Sequence, residues 1–212
     1  MRSMSNKWVV TIAVLLACVG LVSVVRASRP SPEEQLKKRI AERSFGDPKA
    51  ALGITEYFDY QCPPCANAYK VLEEAIKKYP GKIYLQARYY PFPAHKNAMR
   101  AAICAECAAR QKGRFWQFHG KVFQHQSDWA NDPYAELKFL TYAQEAGVDI
   151  RSWDACLKDP EVPKFVAAEK EKGVSLGVKI TPSFFINGKL VVGVDGLATE
   201  LAKLENKNTA SS

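Results

Sequence analysis

The chain has 212 residues, of which 47% are hydrophobic and 25% are charged, and its formal net charge is +8. This length and composition predict one well-packed domain rather than two. Basic and acidic residues are interspersed along the predicted helices, and no basic stripe alternates with aromatic residues, which argues against nucleic acid as a partner.

The N-terminal segment is basic and then apolar. Two cations precede an uncharged run over residues 8–25, and Arg26 follows it. This pattern predicts an export signal or a membrane anchor in residues 1–27, and the sequence leaves both alternatives open. Lipidation at Cys18 is a third alternative, although the apolar run continues beyond that residue. Each alternative predicts a periplasmic or extracytoplasmic domain, with residues 8–25 as the candidate anchor to the inner membrane.

A linker helix and a strand–helix–strand unit come next. Residues 28–44 favour a helix because Ser31 can cap it and Pro32 suits its first turn. The predicted domain covers residues 45–212. Its first strand, helix and second strand are expected at residues 52–60, 65–79 and 83–90. A unit of this size predicts two parallel strands joined by a right-handed crossover.

Five helices and a closing pair of strands follow. The helices are predicted at residues 97–111, 115–124, 134–146, 149–157 and 163–176. Asn187-Gly188 separates two short apolar runs and predicts a β-hairpin, after which residues 195–207 form a last helix. The element order predicts an α/β fold, in which one mixed sheet is flanked by helices and carries a helical subdomain inserted at about residues 95–176.

Two cysteines separated by two prolines, in "YQCPPCANAY", form the candidate functional site. Cys62 follows a strand and precedes a helix, where free backbone N–H groups and the helix dipole favour a thiolate. The thiolate is the attacking species in disulfide exchange, and Cys65 lies one turn further on. Pro63 and Pro64 fit the first turn and carry no charge. We therefore expect a milder oxidant than a version of the same fold with histidine between the cysteines.

Two other kinds of cysteine site are compatible with this spacing. Two C-x-x-C pairs exist: Cys62 with Cys65, and Cys104 with Cys107. This is the half-site spacing of zinc ribbons, although 38 residues separate the pairs, about twice the usual gap. A structural disulfide is the other alternative, but a four-residue loop gains little stability from closure. Disulfide exchange is the predicted chemistry, with no metal ion or organic cofactor.

Three longer motifs contain or follow the first cysteine pair: "GDPKAALGITEYFDYQCPPC", "AAICAECAARQKGRFWQFHGKVF" and "GVKITPSFFINGK". Together they resemble the bacterial DsbA-like thiol:disulfide oxidoreductases, a branch of the thioredoxin-fold superfamily, over about residues 44–205. The resemblance implies a thioredoxin fold with a helical insertion, an extracytoplasmic location and disulfide exchange with protein substrates.

The resemblance also implies roles for individual residues. Cys62 resembles the exposed attacking cysteine, and Cys65 resembles the buried resolving one. Pro182, after Thr181, resembles the cis-proline loop that packs against the active cysteines and pairs with a substrate strand, although a trans proline is also compatible with the sequence. Glu56 resembles the acidic residue beneath the site, where burial would raise its pKa and let it exchange a proton with Cys65. An exposed or salt-bridged glutamate is the alternative.

The remaining cysteines and histidines are expected to be structural. In some relatives of the family, the positions of Cys107 and Cys156 pair across the helical insertion, so we expect a structural disulfide there. Cys104 is then a buried small hydrophobic residue, the true partner of Cys156, or the partner of Cys107 in a strained bond. The histidines show no metal-ligand spacing, and His119 is expected on the outer side of its helix.

The predicted function is an extracytoplasmic protein thiol:disulfide oxidoreductase, more specifically an oxidase of moderate strength. A disulfide reductase or isomerase is the alternative within the enzyme class. A zinc-stabilised or redox-inert binding module is the alternative from another class. The expected partners are reduced or misoxidised exported proteins as substrates and a membrane redox partner that recycles the cysteine pair.

Overall fold

The computed structural model describes residues 31–209, which divide into two units, residues 31–38 and 39–209. The helices are α1 (Pro32–Glu42), α2 (Pro63–Lys78), α3 (Ala98–Ala109), α4 (Phe115–Gln124), α5 (Gln126–Trp129), α6 (Ala135–Glu145), α7 (Ile150–Leu157), α8 (Glu161–Ser175) and α9 (Gly193–Thr209). The strands are β1 (Ser44–Phe45), β2 (Leu52–Phe58), β3 (Ile83–Tyr89), β4 (Ser183–Ile186) and β5 (Lys189–Val192). The candidate signal or anchor at residues 1–27 lies outside the described residues. Within residues 31–209, none of the helices has the length and apolar character needed to span a bilayer.

The unit of residues 31–38 contains the beginning of α1, which starts with a capping box. Ser31 Oγ accepts a hydrogen bond from Glu34 N at 3.1 Å, and Ser31 N donates to Glu34 Oε2 at 2.7 Å. These reciprocal bonds satisfy backbone donors that have no partner within a helix. The cap predicted at Ser31 is confirmed.

The five strands form one mixed sheet in the order β1-β3-β2-β4-β5. β2 and β3 are parallel, as the strand–helix–strand order predicts, and the other neighbours are antiparallel. The β4–β5 hairpin turns at Asn187 and Gly188, whose φ angles of 47° and 84° suit a type I′ turn. The sequence does not predict β1, because two residues are too few to show alternation. The sheet and its flanking helices confirm the predicted fold class.

Six helices, α3 to α8, lie between β3 and β4 in the described part of the chain. They enclose a core in which the side chains of Phe118, Trp129 and Phe139 are completely buried. Cys107 in α3 and Cys156 in α7 form a disulfide between two of these helices. The bond joins residues 49 positions apart. Closing a loop of this length stabilises a fold by about 4 kcal/mol on the chain-entropy model.

A buried charge cluster is centred on Arg43, which lies between α1 and β1. Arg43 Nη1 donates to Glu169 Oε2 at 2.9 Å, and Arg43 Nε lies 3.6 Å from Glu106 Oε2. The guanidinium also covers the ring of Tyr89, at 4.5 Å from its centroid. Arg88 Nε reaches Glu169 Oε2 at 2.8 Å. Because Glu106 belongs to α3 and Glu169 to α8, the cluster connects two helices of the insertion to the edge of the sheet.

His119 is buried, so the prediction that it lies on the outer side of α4 is wrong. Its side chain retains 1% exposure, and its Nδ1 lies 2.9 Å from the hydroxyl of Tyr60. The ring also contacts Phe58 and Phe115 at centroid distances of 5.2 and 5.1 Å. α4 packs against both α2 and α3, so it has no fully solvated side at this position. Burial lowers the pKa of His119 to about 3, which keeps the imidazole neutral.

Candidate active site

Cys62 and Cys65 lie at the start of α2, as the sequence predicts. Cys62 is the N-cap residue, with extended backbone angles of φ −77° and ψ 118°, and Pro63 and Pro64 form the first turn. The carbonyl of Cys62 accepts hydrogen bonds from Cys65 N at 3.0 Å and from Ala66 N at 3.3 Å. Prolines have no N–H group, so they fit a turn whose donors have no partner within the helix.

The side chain of Cys62 is largely covered, although both cysteines are free thiols. The expectation of an exposed attacking sulfur therefore needs correction: Cys62 retains only 7% exposure, and Cys65 retains 0%. The cover comes from the loop before β4, since Cys62 Sγ lies 3.4 Å from the carbonyl oxygen of Thr181. Cys62 is still the more accessible of the two sulfurs. A substrate that reacts with it must displace part of this loop cover.

The environment of Cys62 favours its thiolate. A hydrogen bond from the Cys65 thiol is the largest of the interactions that lower the pKa of Cys62, which falls to about 6. The Thr181 side chain and the backbone N–H of Cys65 lower this pKa further, while burial and the charge of Asp59 oppose them. The lowered pKa of Cys62 agrees with the thiolate predicted at the N-terminus of α2. The leading cause differs, because the thiol partner contributes more than the backbone N–H.

Cys65 has the opposite preference. Burial raises its pKa well above the ordinary value, and its hydrogen bond to Cys62 and the negative charges of Cys62 and Glu56 raise it further. The reduced pair therefore contains one sulfur that favours the anion and one that keeps its proton. This asymmetry suits disulfide exchange, since the more accessible sulfur is the nucleophile and the buried sulfur retains a proton.

Glu56 is buried in β2, with 1% exposure, and belongs to the strand face shared by Ile54 and Phe58. Its Oε1 has no hydrogen-bond partner among the described residues. Burial raises the pKa of this carboxyl to about 8, so it holds a proton at neutral pH. The alternative of an exposed or salt-bridged glutamate does not fit this environment.

A cavity of about 210 Å³ reaches the side chain of Glu56. Its other lining residues include His119, Trp116, Phe45 and Lys77, of which the last two are exposed. The cavity therefore runs from the surface to the buried carboxyl. Neither cysteine of the pair lines it.

Replacing Glu56 with glutamine should remove a pH-dependent loss of stability. The folded protein holds the Glu56 proton up to a pKa of about 8, whereas the unfolded chain releases it above the ordinary 4.5. Unfolding therefore releases a proton between these values, and the parent protein loses stability as the pH rises. We expect the free energy of unfolding of Glu56→Gln, relative to the parent, to gain about 3 kcal/mol between about pH 5 and pH 7.5.

Urea unfolding of both proteins at a series of pH values, in the same redox state, measures this difference. A Glu74→Gln variant is a suitable control, because Glu74 is exposed on α2. Its stability difference from the parent should not change over this range. A pH-independent difference for Glu56→Gln would contradict a raised pKa at this position.

The Thr181–Pro182 peptide bond is cis, and the loop that contains it faces Cys62. Thr181 Oγ1 is buried and has no hydrogen-bond partner in the described residues. Its hydroxyl is therefore available to donate to a thiolate on Cys62. Ser183 stabilises the loop through a hydrogen bond from its Oγ to Ile180 O at 2.7 Å. The structure thus brings Thr181 and Pro182 to the cysteine pair from a distant part of the sequence.

Asp59 organises the segment before Cys62 and is absent from the sequence-based site. Asp59 Oδ1 accepts a hydrogen bond from Gln61 N at 2.7 Å, and Asp59 Oδ2 accepts one from Phe92 N at 2.8 Å. His95 Nδ1 lies 2.7 Å from the same Oδ2. Cys62 N donates to the carbonyl of Asp59 at 3.1 Å. The bond from Gln61 N to Asp59 is a local turn pattern that a sequence can indicate. The bonds of Asp59 to Phe92 and His95 join distant parts of the chain, so the sequence does not indicate them.

Gln126 is a second contributor that the sequence does not indicate. Its Nε2 donates to the carbonyl oxygens of Tyr60 at 2.7 Å and of Cys62 at 2.9 Å. It begins α5, which spans four residues and is too short to show a helical period. The insertion thereby holds the backbone of the cysteine loop directly.

Three further cysteines of the described chain have other roles. Cys107 is bonded to Cys156, so its sulfur is not available to complete a four-cysteine zinc set with Cys62, Cys65 and Cys104. Cys104 is a buried free thiol, and burial raises its pKa to about 12. Its carbonyl accepts a hydrogen bond from Trp153 Nε1 at 3.0 Å. In the described residues, no three histidine, cysteine or acidic side chains are grouped as a metal site.

Comparison with known families and curated proteins gives one family match and two kinds of relative. A family described as Thioredoxin matches residues 38–203. The Na(+)/H(+) antiporter NhaA 1 of Mycolicibacterium gilvum is 32% identical over 165 residues, which are 76% of this chain and 25% of the antiporter. The chain thus spans about a quarter of the length of such relatives. A probable disulfide bond formation protein D of Bacillus cereus is 23% identical over 189 residues, covering 86% of this chain and 87% of that protein.

Solved structures have the same fold. The α-DsbA1 of Wolbachia pipientis matches with a TM-score of 0.66 and 21% identity, over 88% of this chain and 98% of that one. A thioredoxin-like oxidoreductase from Silicibacter pomeroyi DSS-3 matches with a TM-score of 0.62 and 26% identity, over 77% of this chain and 91% of that one. The similarity includes both the sheet and the helical insertion, since it covers most of each chain.

Proposed function

The chain belongs to the thioredoxin family and has the DsbA-like form of its fold, and from this premise we propose that it is an extracytoplasmic thiol:disulfide oxidoreductase that acts on proteins. The observation that carries the proposal is the opposite pKa shift of two adjacent thiols, lowered to about 6 at Cys62 and raised at Cys65. A purely structural disulfide or a binding module does not require a difference between the pKa values of its two cysteines.

In the oxidising direction, a substrate thiolate attacks Cys62 Sγ of the disulfide form. The bond between Cys62 and Cys65 breaks, and Cys65 leaves as a thiolate that takes up a proton. A second substrate thiolate then attacks the substrate sulfur of the mixed disulfide, and Cys62 leaves as a stable thiolate. The substrate loses two electrons and the cysteine pair gains them. Glu56 is protonated at neutral pH and is the proposed proton donor to Cys65.

The loop at Thr181 and Pro182 is the proposed place where the substrate backbone lies. The Thr181 carbonyl oxygen lies 3.4 Å from Cys62 Sγ, which supports a substrate chain bonded to Cys62 that runs beside the loop. β4 begins directly after Pro182, so an extended substrate segment could add to this end of the sheet through backbone hydrogen bonds.

The electrostatics favour an oxidase of moderate strength. A stable Cys62 thiolate stabilises the reduced pair and so makes the disulfide form more oxidising. The two prolines between the cysteines add no positive charge, and the pKa of about 6 lies between those of weak and very strong oxidants of this superfamily. We expect a reduction potential between about −180 and −270 mV.

A redox titration of the Cys62–Cys65 pair against glutathione tests this proposal. The fraction oxidised is read by alkylation and mass spectrometry. A potential near −120 mV, typical of the strongest disulfide donors, would contradict the moderate strength. A value well below −270 mV would favour the reductase alternative. A pair that does not exchange with glutathione would remove the enzymatic function.

A Thr181→Val variant tests how the Thr181 hydroxyl affects the reduction potential, because valine keeps the shape of threonine and removes its hydroxyl. Loss of this donor should raise the pKa of Cys62 by about one unit. The potential should then become more negative by roughly 30 mV for each unit. A Thr199→Val change in α9 is the matched control and should leave the potential unchanged, since Thr199 is exposed and bonds only within its own helix.

The cellular location and partners follow from the same proposal. A disulfide such as Cys107–Cys156 persists mainly in oxidising compartments, which supports an extracytoplasmic site. Residues 1–27 are the proposed signal or anchor, and residues 45–212 are the proposed catalytic domain. Exported proteins are the proposed substrates. Each oxidation leaves the cysteine pair reduced, so a membrane redox partner is proposed to reoxidise it.

A further inference from the structure

A groove of about 620 Å³ lies between α8 and the segment that follows β3. The residues that matter for its chemistry are Phe92, His95, Lys96, Met99, Lys170 and Val174. Its volume is in the range of small-molecule and cofactor sites, and it is larger than the cavity beside Glu56.

The groove exposes apolar side chains to solvent. Met99 is 38% exposed and Val174 is 55% exposed. Phe92 is half-buried and packs against the cluster of Tyr57, Tyr90 and Val178. The chain that leaves α8 exposes Leu176 by 43% and Ile180 by 55% before it reaches Thr181. Apolar exposure therefore extends from the groove along the chain to the loop over Cys62. Clustered exposure of this kind marks surfaces that bind another molecule.

Among the described residues, the groove lining also has more lysine than acidic side chains. Lys96 and Lys170 line it, and neither makes an ion pair with another residue of the described chain. The Lys170 ammonium lies 5.7 Å from the ring centroids of Tyr90 and Phe92. Glu171 is the one acidic residue in the lining. The unpaired lysines favour a partner that brings a carboxylate to an apolar contact.

The groove is joined to the active site by hydrogen bonds. Phe92 and His95 both bond to the carboxylate of Asp59, and Cys62 N bonds to the carbonyl of the same residue. A chain held in the groove would therefore contact Phe92 and His95, which bond to the segment that positions Cys62.

We propose that this groove binds the substrate polypeptide next to its reacting cysteine and selects a large apolar residue that has an acidic neighbour. The proposal rests on the proposed function, since it concerns the substrate of the same cysteine pair. The apolar residue packs on Phe92, Met99 and Val174, and the carboxylate pairs with Lys96 or Lys170. The groove then sets which cysteines of an exported protein react first.

Three reduced peptides test the proposal, each with one cysteine joined by a glycine–serine spacer to a recognition pair. The pairs are Phe-Glu, Phe-Lys and Ser-Gln, and each peptide is made with several spacer lengths and with the cysteine at either end. One peptide thiol forms a mixed disulfide with Cys62 and releases Cys65, and a second peptide thiol displaces Cys62 and forms a peptide disulfide. The rate at which the Cys62–Cys65 pair becomes reduced is followed by alkylation and mass spectrometry. We expect the Phe-Glu peptide to react about tenfold faster than the Ser-Gln peptide at the best spacing, with Phe-Lys slower than Phe-Glu.

Variants of the groove identify where the preference arises. Lys170→Glu should remove the preference for Phe-Glu over Phe-Lys or reverse it, and Val174→Ser should weaken the response to phenylalanine. Lys172→Glu is the matched charge control, because Lys172 is exposed on α8 and does not line the groove. Leu137→Ser is the matched apolar control, because Leu137 is 66% exposed on α6. Both controls should keep the peptide preference.

Dithiothreitol, which has no recognition pair, separates this proposal from the proposed function. The control variants Lys172→Glu and Leu137→Ser should react with dithiothreitol at the parent rate, and the peptide rates of Lys170→Glu and Val174→Ser are divided by the rate of the same variant with dithiothreitol. Equal rates for the three peptides, with normal reaction with dithiothreitol, would overturn the groove proposal and leave the oxidoreductase function intact. A preference that Lys172→Glu alters as much as Lys170→Glu would overturn it too. Failure to react with dithiothreitol and with every peptide would overturn both proposals.

Discussion

Replacing Cys65 with alanine should make the protein capture disulfide-bonded proteins on Cys62. The rate of repeated thiol–disulfide exchange should fall by ~10³-fold or more. The Cys62 thiolate attacks one sulfur of the partner's disulfide, and the other sulfur leaves as a thiolate. Without Cys65, no neighbouring thiol displaces the partner from Cys62, so the mixed disulfide persists. Non-reducing electrophoresis and mass spectrometry measure the captured fraction.

Two further variants serve as controls for the capture. Cys62→Ser should abolish both turnover and capture, because it removes the attacking sulfur. Cys104→Ala should retain both, because Cys104 is buried in the insertion and its thiol is not part of the pair. Equal capture by Cys65→Ala and Cys62→Ser would contradict the assignment of the attacking residue.

The same Cys65→Ala variant tests the electrostatic cause. The Cys65 thiol makes the largest contribution to the lowered pKa of Cys62, which is about 6 in the parent. The midpoint of the alkylation rate against pH should therefore rise when this thiol is removed. An unchanged midpoint would assign the acidity to the backbone N–H groups at the start of α2 instead.

Replacing Arg43 with methionine should destabilise the fold by about 3–5 kcal/mol, the typical cost of removing one partner from a buried ion pair. Arg43 is completely buried, and Glu106 and Glu169 retain 0% and 3% exposure. Methionine fills part of the volume but leaves two buried carboxylates without their shared cation. Urea unfolding at neutral pH measures the loss.

An arginine at the edge of the same cluster provides the comparison. Arg110 lies 3.9 Å from Glu106 and 2.7 Å from Asp159, and its side chain is 26% exposed. Arg110→Met should lower the free energy of unfolding by about 1 kcal/mol or less, because water solvates the partly exposed charges that the ion pair otherwise stabilises. Similar losses for Arg43→Met and Arg110→Met would show that burial does not set the energy of this cluster.

Local features of the fold could be predicted from the sequence. Alternation in β2 and β3, the Asn187-Gly188 turn and the cap at Ser31 each depend on residues close together in the chain. The position of the cysteine pair at the start of α2 belongs to the same group. The four-residue α5 and the two-residue β1 could not be predicted, because they are too short to show a period and depend on tertiary contacts.

The parts of the site that the sequence does not reveal are joined over long distances. The cover on Cys62 comes from Thr181, which is 119 residues away, and the partner of Asp59 is His95, which is 36 residues away. Burial of His119 follows from packing on two sides of α4, which no single-helix pattern indicates. The acidity of Cys62 likewise depends on side chains that only the folded chain brings together.

The opening beside Phe45 and Lys77 gives the buried carboxyl of Glu56 its own route to bulk water. A bound protein would close the front of the molecule over Cys62 and exclude water there. Protons could still enter and leave through this cavity, which is lined by residues of the sheet, α2 and α4, while that complex lasts. If Glu56 supplies the proton to Cys65 as proposed, disulfide exchange at the sulfurs and proton supply would use separate routes, and a bound substrate protein need not dissociate before Cys65 is reprotonated.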